Sequence, residues 1–246
     1  MTEAEWLACA DTMPMLEFLR GRASDRKRQL FAVASCRRIW HRVPDSRSRQ
    51  AIDTTERFIE GEAQLEDMEA TRQEAEAAQR DALLRRRWDA GENAVLALAL
   101  APEWNLDSWP CELSVAIYSS QAAAQFAEFA GKNRKARKAN YVRGHKDENA
   151  VQCNFLRDIF GNPFRPAPTI ERASLSWNEQ TVVRLAQTIY ADRDLPDGTL
   201  DLTRLAVLAD ALEEAGCTNA DILAHCRQPG QHVRGCWVVD LLLGKE

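Results

Sequence analysis

The chain of 246 residues carries 32 Lys and Arg against 37 Asp and Glu, a formal net charge of −5, with 45% hydrophobic and 28% charged residues. That is an ordinary globular composition, long enough to bury a core, and its negative balance excludes a surface that is basic throughout. The start, MTEAEWLACADTM, has acids where a signal peptide needs positive charge and an apolar run. The longest apolar run, Ala94 to Ala101, is too short to span a bilayer. We therefore expect a cytoplasmic protein without membrane contact. Its seven cysteines are an odd number, which suits reduced and mostly buried thiols.

Only 11 Gly and 9 Pro interrupt Ala-, Glu-, Arg- and Leu-rich stretches, and this favours helix throughout. Thr2 and Glu5 have capping-box spacing for a first short helix through Trp6. Asp11 or Thr12 caps the next, with Pro14 in its first turn. A third begins near Ser24 and sets Leu30, Phe31, Val33 and Ile39 on one face, with Arg and Lys opposite. In it, Cys36 and His41 lie about 140° apart round a straight helix, poorly placed as joint ligands; Cys36 reads as a small buried hydrophobe. Asp45 or Ser46 caps a fourth helix that Gly61 stops. Residues 63–90 form the longest helical stretch, with an Ala-rich seam and Arg85, Arg86 and Arg87 near its end.

After an apolar helix at 94–100, Trp104, Leu106 and Trp109 make an aromatic turn, and Ser108 before Pro110 reads as an N-cap. The segment 111–130 is the most Ala-rich helix and ends at Gly131. Next, GKNRKARKANYVRGHKDENA is charged and poor in apolar residues, and reads as a boundary or exposed loop. Residues 151–160 return to helix, followed by a Pro-rich strap at 161–168 anchored by Phe160 and Phe164. Ser176 and Glu179 have the spacing of a second capping box, for a helix carrying Val182, Ala186 and Ile189. Leu202, Leu205, Ala209 and Leu212 mark another helix, which Gly216 ends as a left-handed residue. Thr218 or Asn219 caps a short helix through Ile222. The last run, GCWVVDLLL, is read as a short core helix, because no other segment supplies a partner strand.

These elements give an all-α fold: a multi-helix bundle over 1–145 and a smaller C-terminal helical module over 146–246. The chain also resembles an uncharacterised bacterial family that is common, as many paralogues, in planctomycete-type genomes. The segments carrying the likeness are MTEAEWLACADTMPMLEFLRGRASDRKRQLFAVASCRRIWH, RDIFGNPFRP and LADALEEAGCTNADILAHCRQPGQHVRGCWVVDLLLGKE. The resemblance brings no established activity and so implies no catalytic residues.

The densest group of chemically able side chains is Cys217, His225, Cys226, His232 and Cys236, five N and S donors within twenty residues. Zinc wants four such donors in a tetrahedron. There is no C-x-x-C knuckle, however, and the neighbours His225 and Cys226 cannot easily both turn inward. A nucleophilic set of Cys236, His225 or His232 and Asp240 is the second chemistry these residues allow. Phosphate-binding glycine loops and an H-E-x-x-H motif are missing from the sequence. Lys132, Arg134, Lys135, Arg137, Lys138 and Arg143, with Tyr141, form the cluster best suited to nucleic acid. The leading expectation is a non-enzymatic protein-interaction or adaptor module with a protein partner. The alternatives are a zinc-bound helical module contacting nucleic acid through 132–146, and a Cys-dependent enzyme.

Overall fold

A computed structural model describes residues 1–84, 90–99 and 111–245. Among the described residues the regular structure is twelve α-helices and one 3-10 turn, with no strand and only isolated bridges of Thr199 with Asp194 and with Val233. The fold is an all-α, multi-helix one, and no helix of the described residues is long and apolar enough to cross a membrane. Arg85–Arg87 and the Trp104–Trp109 turn lie outside the described residues. The chain divides into two compact units: Met1 with Ala8–Cys153, and Thr2–Leu7 with Asn154–Glu246.

In the first unit, α2 (Thr12–Leu19), α3 (Asp25–Arg38), α4 (Ser46–Ile59), α5 (Leu65–Leu84), α6 (Ala90–Ala99) and α7 (Cys111–Phe129) precede the start of α8 (Arg134–Phe160). Their caps follow the sequence: Asp11 accepts from the Met13 amide, Ser24 from Lys27 and Asp45 from Arg47. Each satisfies an amide that the first helical turn leaves without a partner. Cys36 is fully buried among Val33, Ile39, Val95 and Leu98, and its thiol reaches the Ala94 carbonyl at 3.6 Å. Beside this core, buried Arg37 donates to Glu56 and, at 2.7 Å, to Asp53. A cation with only 3% exposure is retained there because its partners replace its water.

The stretch expected as a boundary or exposed loop over 131–150 is instead, from Arg134 on, the start of α8, whose N-terminus is set by Asn133 accepting from the Ala136 amide. Lys, Arg and Ala are good helix formers, and low apolar content here reflects a helix that buries only one narrow face. Gly144 explains how that face packs. A Cβ at Gly144 would lie 2.8 Å from the Ala127 Cβ and 3.2 Å from the Ala124 Cα, so α8 and α7 approach to a distance only glycine permits. One turn on, buried Glu148 faces Arg38 at 3.7 Å. Burial pushes its carboxyl above the usual carboxylate range, and the charges of Arg38 and Arg42 only partly offset this.

The second unit holds α1 (Glu3–Ala8) as far as Leu7, the end of α8, α9 (Arg172–Ala191), α10 (Leu202–Glu214), α11 (Ala220–Arg227) and α12 (Trp237–Leu243). The first capping box forms: Thr2 N donates to Glu5 at 2.7 Å and Glu5 N to the Thr2 hydroxyl at 3.2 Å. The second does not. Ser176 donates back to the Arg172 and Ala173 carbonyls, while Asn178, Glu179 and Gln180 take positive φ angles and break α9. A serine bonded to the preceding turn cannot also cap the following one. The core is built by Ile189, Leu205, Leu208, Leu212, Ile222, Val238 and Leu242, so GCWVVDLLL does close the chain as a helix.

Two stability measurements check this packing. Gly144→Ala gains about 1 kcal/mol of helix propensity but overpacks a contact that costs about 1–3 kcal/mol, so its melting temperature should fall. A group whose pKa is raised by folding stabilises fully below its ordinary value, and that contribution is lost as pH rises through the folded value. Ionised Glu148 therefore costs stability at neutral pH. Glu148→Gln should melt higher than wild type at pH 7, and the two should converge near pH 4.

Candidate metal centre

Four buried side chains of the second unit converge: Asp158, His225, His232 and Cys236, whose ligand-type atoms all lie within 4.8 Å of one another. Each comes from a different local context. Asp158 sits on the last turns of α8, with Phe155 and Ile159 at helical spacing beside it, so it shares the helix's buried stripe. His225 lies on α11, which Asn219 starts by accepting from the Asp221 and Ile222 amides. Arg227 on the same helix is tied to Asp210 at 2.6 Å and to Glu213. Loop residue His232 is fixed through its carbonyl, which accepts from Leu200 N at 2.8 Å, next to the Thr199–Val233 bridge. Cys236 is the residue before α12, and Gly235 precedes it at φ +89°.

Gly161 completes the frame. It ends α8 at φ +62°, and a Cβ there would press on the Trp237 ring at 3.3 Å. Trp237 in turn lies 5.0 Å, centroid to centroid, from the His225 ring. The Gly161 carbonyl accepts from the Trp6 indole at 3.1 Å, and the Trp6 carbonyl accepts from Arg157 at 2.9 Å.

The distances describe one centre. Asp158 Oδ1 lies 3.1 Å from His225 Nε2 and 2.6 Å from His232 Nδ1. Cys236 Sγ lies 3.2 Å from His225 Nε2 and 3.9 Å from His232 Nδ1. The other carboxylate oxygen, Oδ2, accepts from the Val233 amide at 2.8 Å, which turns Oδ1 toward the ring nitrogens. His225 Nδ1, on the far side of its ring, meets the Gln228 amide at 3.1 Å. His232 Nε2, across the ring from Asp158, is buried.

Electrostatics follow from burial and this one carboxylate. Burial pushes the Asp158 carboxyl upward, but the hydrogen bonds from His225 and His232 outweigh it and hold the group at about 2. His232 is pulled down by burial and more strongly up by the Asp158 bond and charge, so it ends above its ordinary value, and a hydrogen bond to the Gln228 backbone adds to the rise. Cys236 goes well above the ordinary thiol value, first through burial and then through the Asp158 charge, with the amides of Val238 and Val239 offsetting part of it.

Comparison with family models, with curated proteins and with solved structures gives no match to this chain.

Of the five donors singled out in sequence, the fold brings His225, His232 and Cys236 together and leaves Cys217 and Cys226 outside the group. The reason is angular. His225 and Cys226 are about 100° apart on α11, and Cys226 faces the hydrophobic core with Cys217 against it. Burial and the Asp158 charge push its thiol up to about 12. The acid meeting both histidines is Asp158, not Asp240, which lies buried on α12 outside the group. Cys236 is fully buried, and burial with the Asp158 charge favours its thiol over its thiolate form.

With chelator present, Asp158→Asn should lower the unfolding free energy by about 3 kcal/mol at pH 7, because it removes one partner from a buried pair of opposite tendencies. Urea denaturation followed by circular dichroism measures this.

Proposed function

We propose that the second unit is a metal-binding module, with Asp158, His225, His232 and Cys236 holding one zinc ion in a structural centre. The observation carrying this is the convergence of one carboxylate oxygen, two imidazole nitrogens and one thiol sulfur within 4.8 Å, all four residues buried. The set has the mixed N, S and O character that zinc accepts, and structural zinc sites use four protein ligands. Zinc–ligand bonds of about 2.0–2.3 Å set ligand atoms a little over 3 Å apart, close to the 3.1 and 3.2 Å separations around His225 Nε2.

Surrounding contacts point the same way. The Val233 amide orients the carboxylate so that a single oxygen faces inward, and Gln228 holds the outer nitrogen of His225. Metal-binding histidines and carboxylates are oriented by such outer bonds. A metal-free cluster gives a sulfur, a weak acceptor, to two rings. Coordination would draw His232 and Cys236 into their deprotonated forms and release protons on binding. With four protein donors and no exposed nucleophile, the centre acts as a clasp joining α8, α11, the 228–235 loop and α12, and the module works through its surface.

The resemblance noted in the sequence is consistent with this reading. RDIFGNPFRP supplies Asp158 and Gly161, the C-terminal segment supplies His225, His232 and Cys236, and the N-terminal one supplies Trp6, bonded to Gly161.

Metal analysis of the purified full chain should find about one zinc per chain, and cobalt should give a thiolate charge-transfer band that Cys236→Ala abolishes. Free zinc a thousandfold above its dissociation constant should raise stability by about 4 kcal/mol, seen as a shift in melting temperature and in Trp237 fluorescence. Unchanged melting with zinc and with chelator, together with no bound metal, would leave a purely hydrogen-bonded cluster and overturn the proposal.

A further inference from the structure

The first unit carries a separate feature, a groove of about 500 Å³ lined by Glu128 of α7 and by Arg134, Arg137, Lys138 and Tyr141 of α8. The four α8 residues stand at i, i+3, i+4 and i+7, so they form one stripe along the helix, about 10 Å long at 1.5 Å per residue. The stripe is basic for most of its length and aromatic at its end.

Its cations differ from the paired arginines of the chain. Arg26, Arg28, Arg37, Arg47, Arg72 and Arg227 all pair with carboxylates. Arg134 and Lys138 have no ion-pair or hydrogen-bond partner among the described residues, and the same holds for Lys132 and Lys135 beside them. Arg137 is bonded only to the Gly131 carbonyl, at 3.3 Å. The first turn of α8 holds no acid, so these cations crowd the positive end of the helix dipole. An arrangement that repels itself in the free protein is relieved when an anion binds. Three cations against one carboxylate leave the groove positive.

We propose that this groove binds single-stranded nucleic acid, with Arg134, Arg137 and Lys138 on successive phosphates and Tyr141 stacking a base. The aromatic residue at the end of the stripe is what favours this occupant over an acidic peptide, since stacking platforms beside cations suit unpaired bases. Glu128, across the groove, is placed to accept from a base amino group. The strand's charge enters this local site although the whole chain is acidic, because screening confines surface fields to roughly 8–10 Å.

Fluorescence anisotropy of a labelled oligothymidine with the full chain tests the proposal. Three phosphate contacts at a slope of about 0.7 each predict roughly 20-fold weaker binding between 50 and 200 mM salt. The double variant Arg134→Gln, Lys138→Gln should lower that slope by about 1.4 and leave circular-dichroism melting unchanged or higher. Tyr141→Ala should weaken binding about tenfold, and Tyr141→Phe should restore it. Absent binding, binding indifferent to salt or to the double variant, equal binding of a duplex, or displacement by polyglutamate as effective as by unlabelled oligonucleotide would each overturn it. Zinc content is measured in parallel, so a failure here is separable from a failure of the metal centre.

Discussion

One buried carboxylate organises the second unit. Asp158 accepts at Oδ1 from two imidazoles and at Oδ2 from the Val233 amide, so one side chain at the end of α8 holds α11 and the loop leading into α12. A fully buried carboxylate left alone would be prohibitive. It is tolerated because three hydrogen bonds reach its two oxygens, and its partners lie 67, 74 and 75 residues away in sequence. The hydrophobic contacts of Leu205, Leu208, Val238 and Val239 supply the bulk of the burial energy, but they are not directional. The polar centre is what fixes which face of α11 turns inward and how α12 begins.

Directional demands of this kind explain the glycines around the centre. Gly161 adopts a left-handed conformation and leaves room for Trp237, which packs near His225. A side chain at Gly161 would meet the Trp237 indole, whose ring centroid lies 5.0 Å from that of His225. Precision here depends on the absence of a methyl group as much as on the presence of the donors.

The same division between local and distant information governs what the sequence disclosed. Caps at Thr2, Asp11, Ser24, Asp45 and Asn219 were legible because a capping side chain and the amide it serves lie within three residues. The α-helical class was legible from periodicity and from few glycines. Ser176–Glu179 had the right spacing but the serine bonded backwards, a choice that spacing alone does not determine. The start of α8 reads as a boundary or loop in the sequence because its apolar face is narrow and the glycine at 144 serves packing, not a turn. His225, His232 and Cys236 stood out as reactive types clustered in sequence, whereas Asp158 did not. The signal for Asp158 was present all the same: a lone acid between Phe155 and Ile159 on a buried stripe must find partners, and the nearest rich supply of donors was the C-terminal segment.

Burial also separates the three C-terminal cysteines, which composition treats alike. Cys226 sits among Leu212, Ile222 and Val238 as a small apolar side chain, with Cys217 half-buried against the same cluster. Cys236 is no less buried, yet it faces two ring nitrogens and a carboxylate. What distinguishes a ligand from a packing residue is therefore not exposure or sequence density but which atoms lie on the far side of the sulfur. Around Cys236 those atoms are two ring nitrogens and a carboxylate oxygen, polar groups that a packing cysteine such as Cys226 does not face.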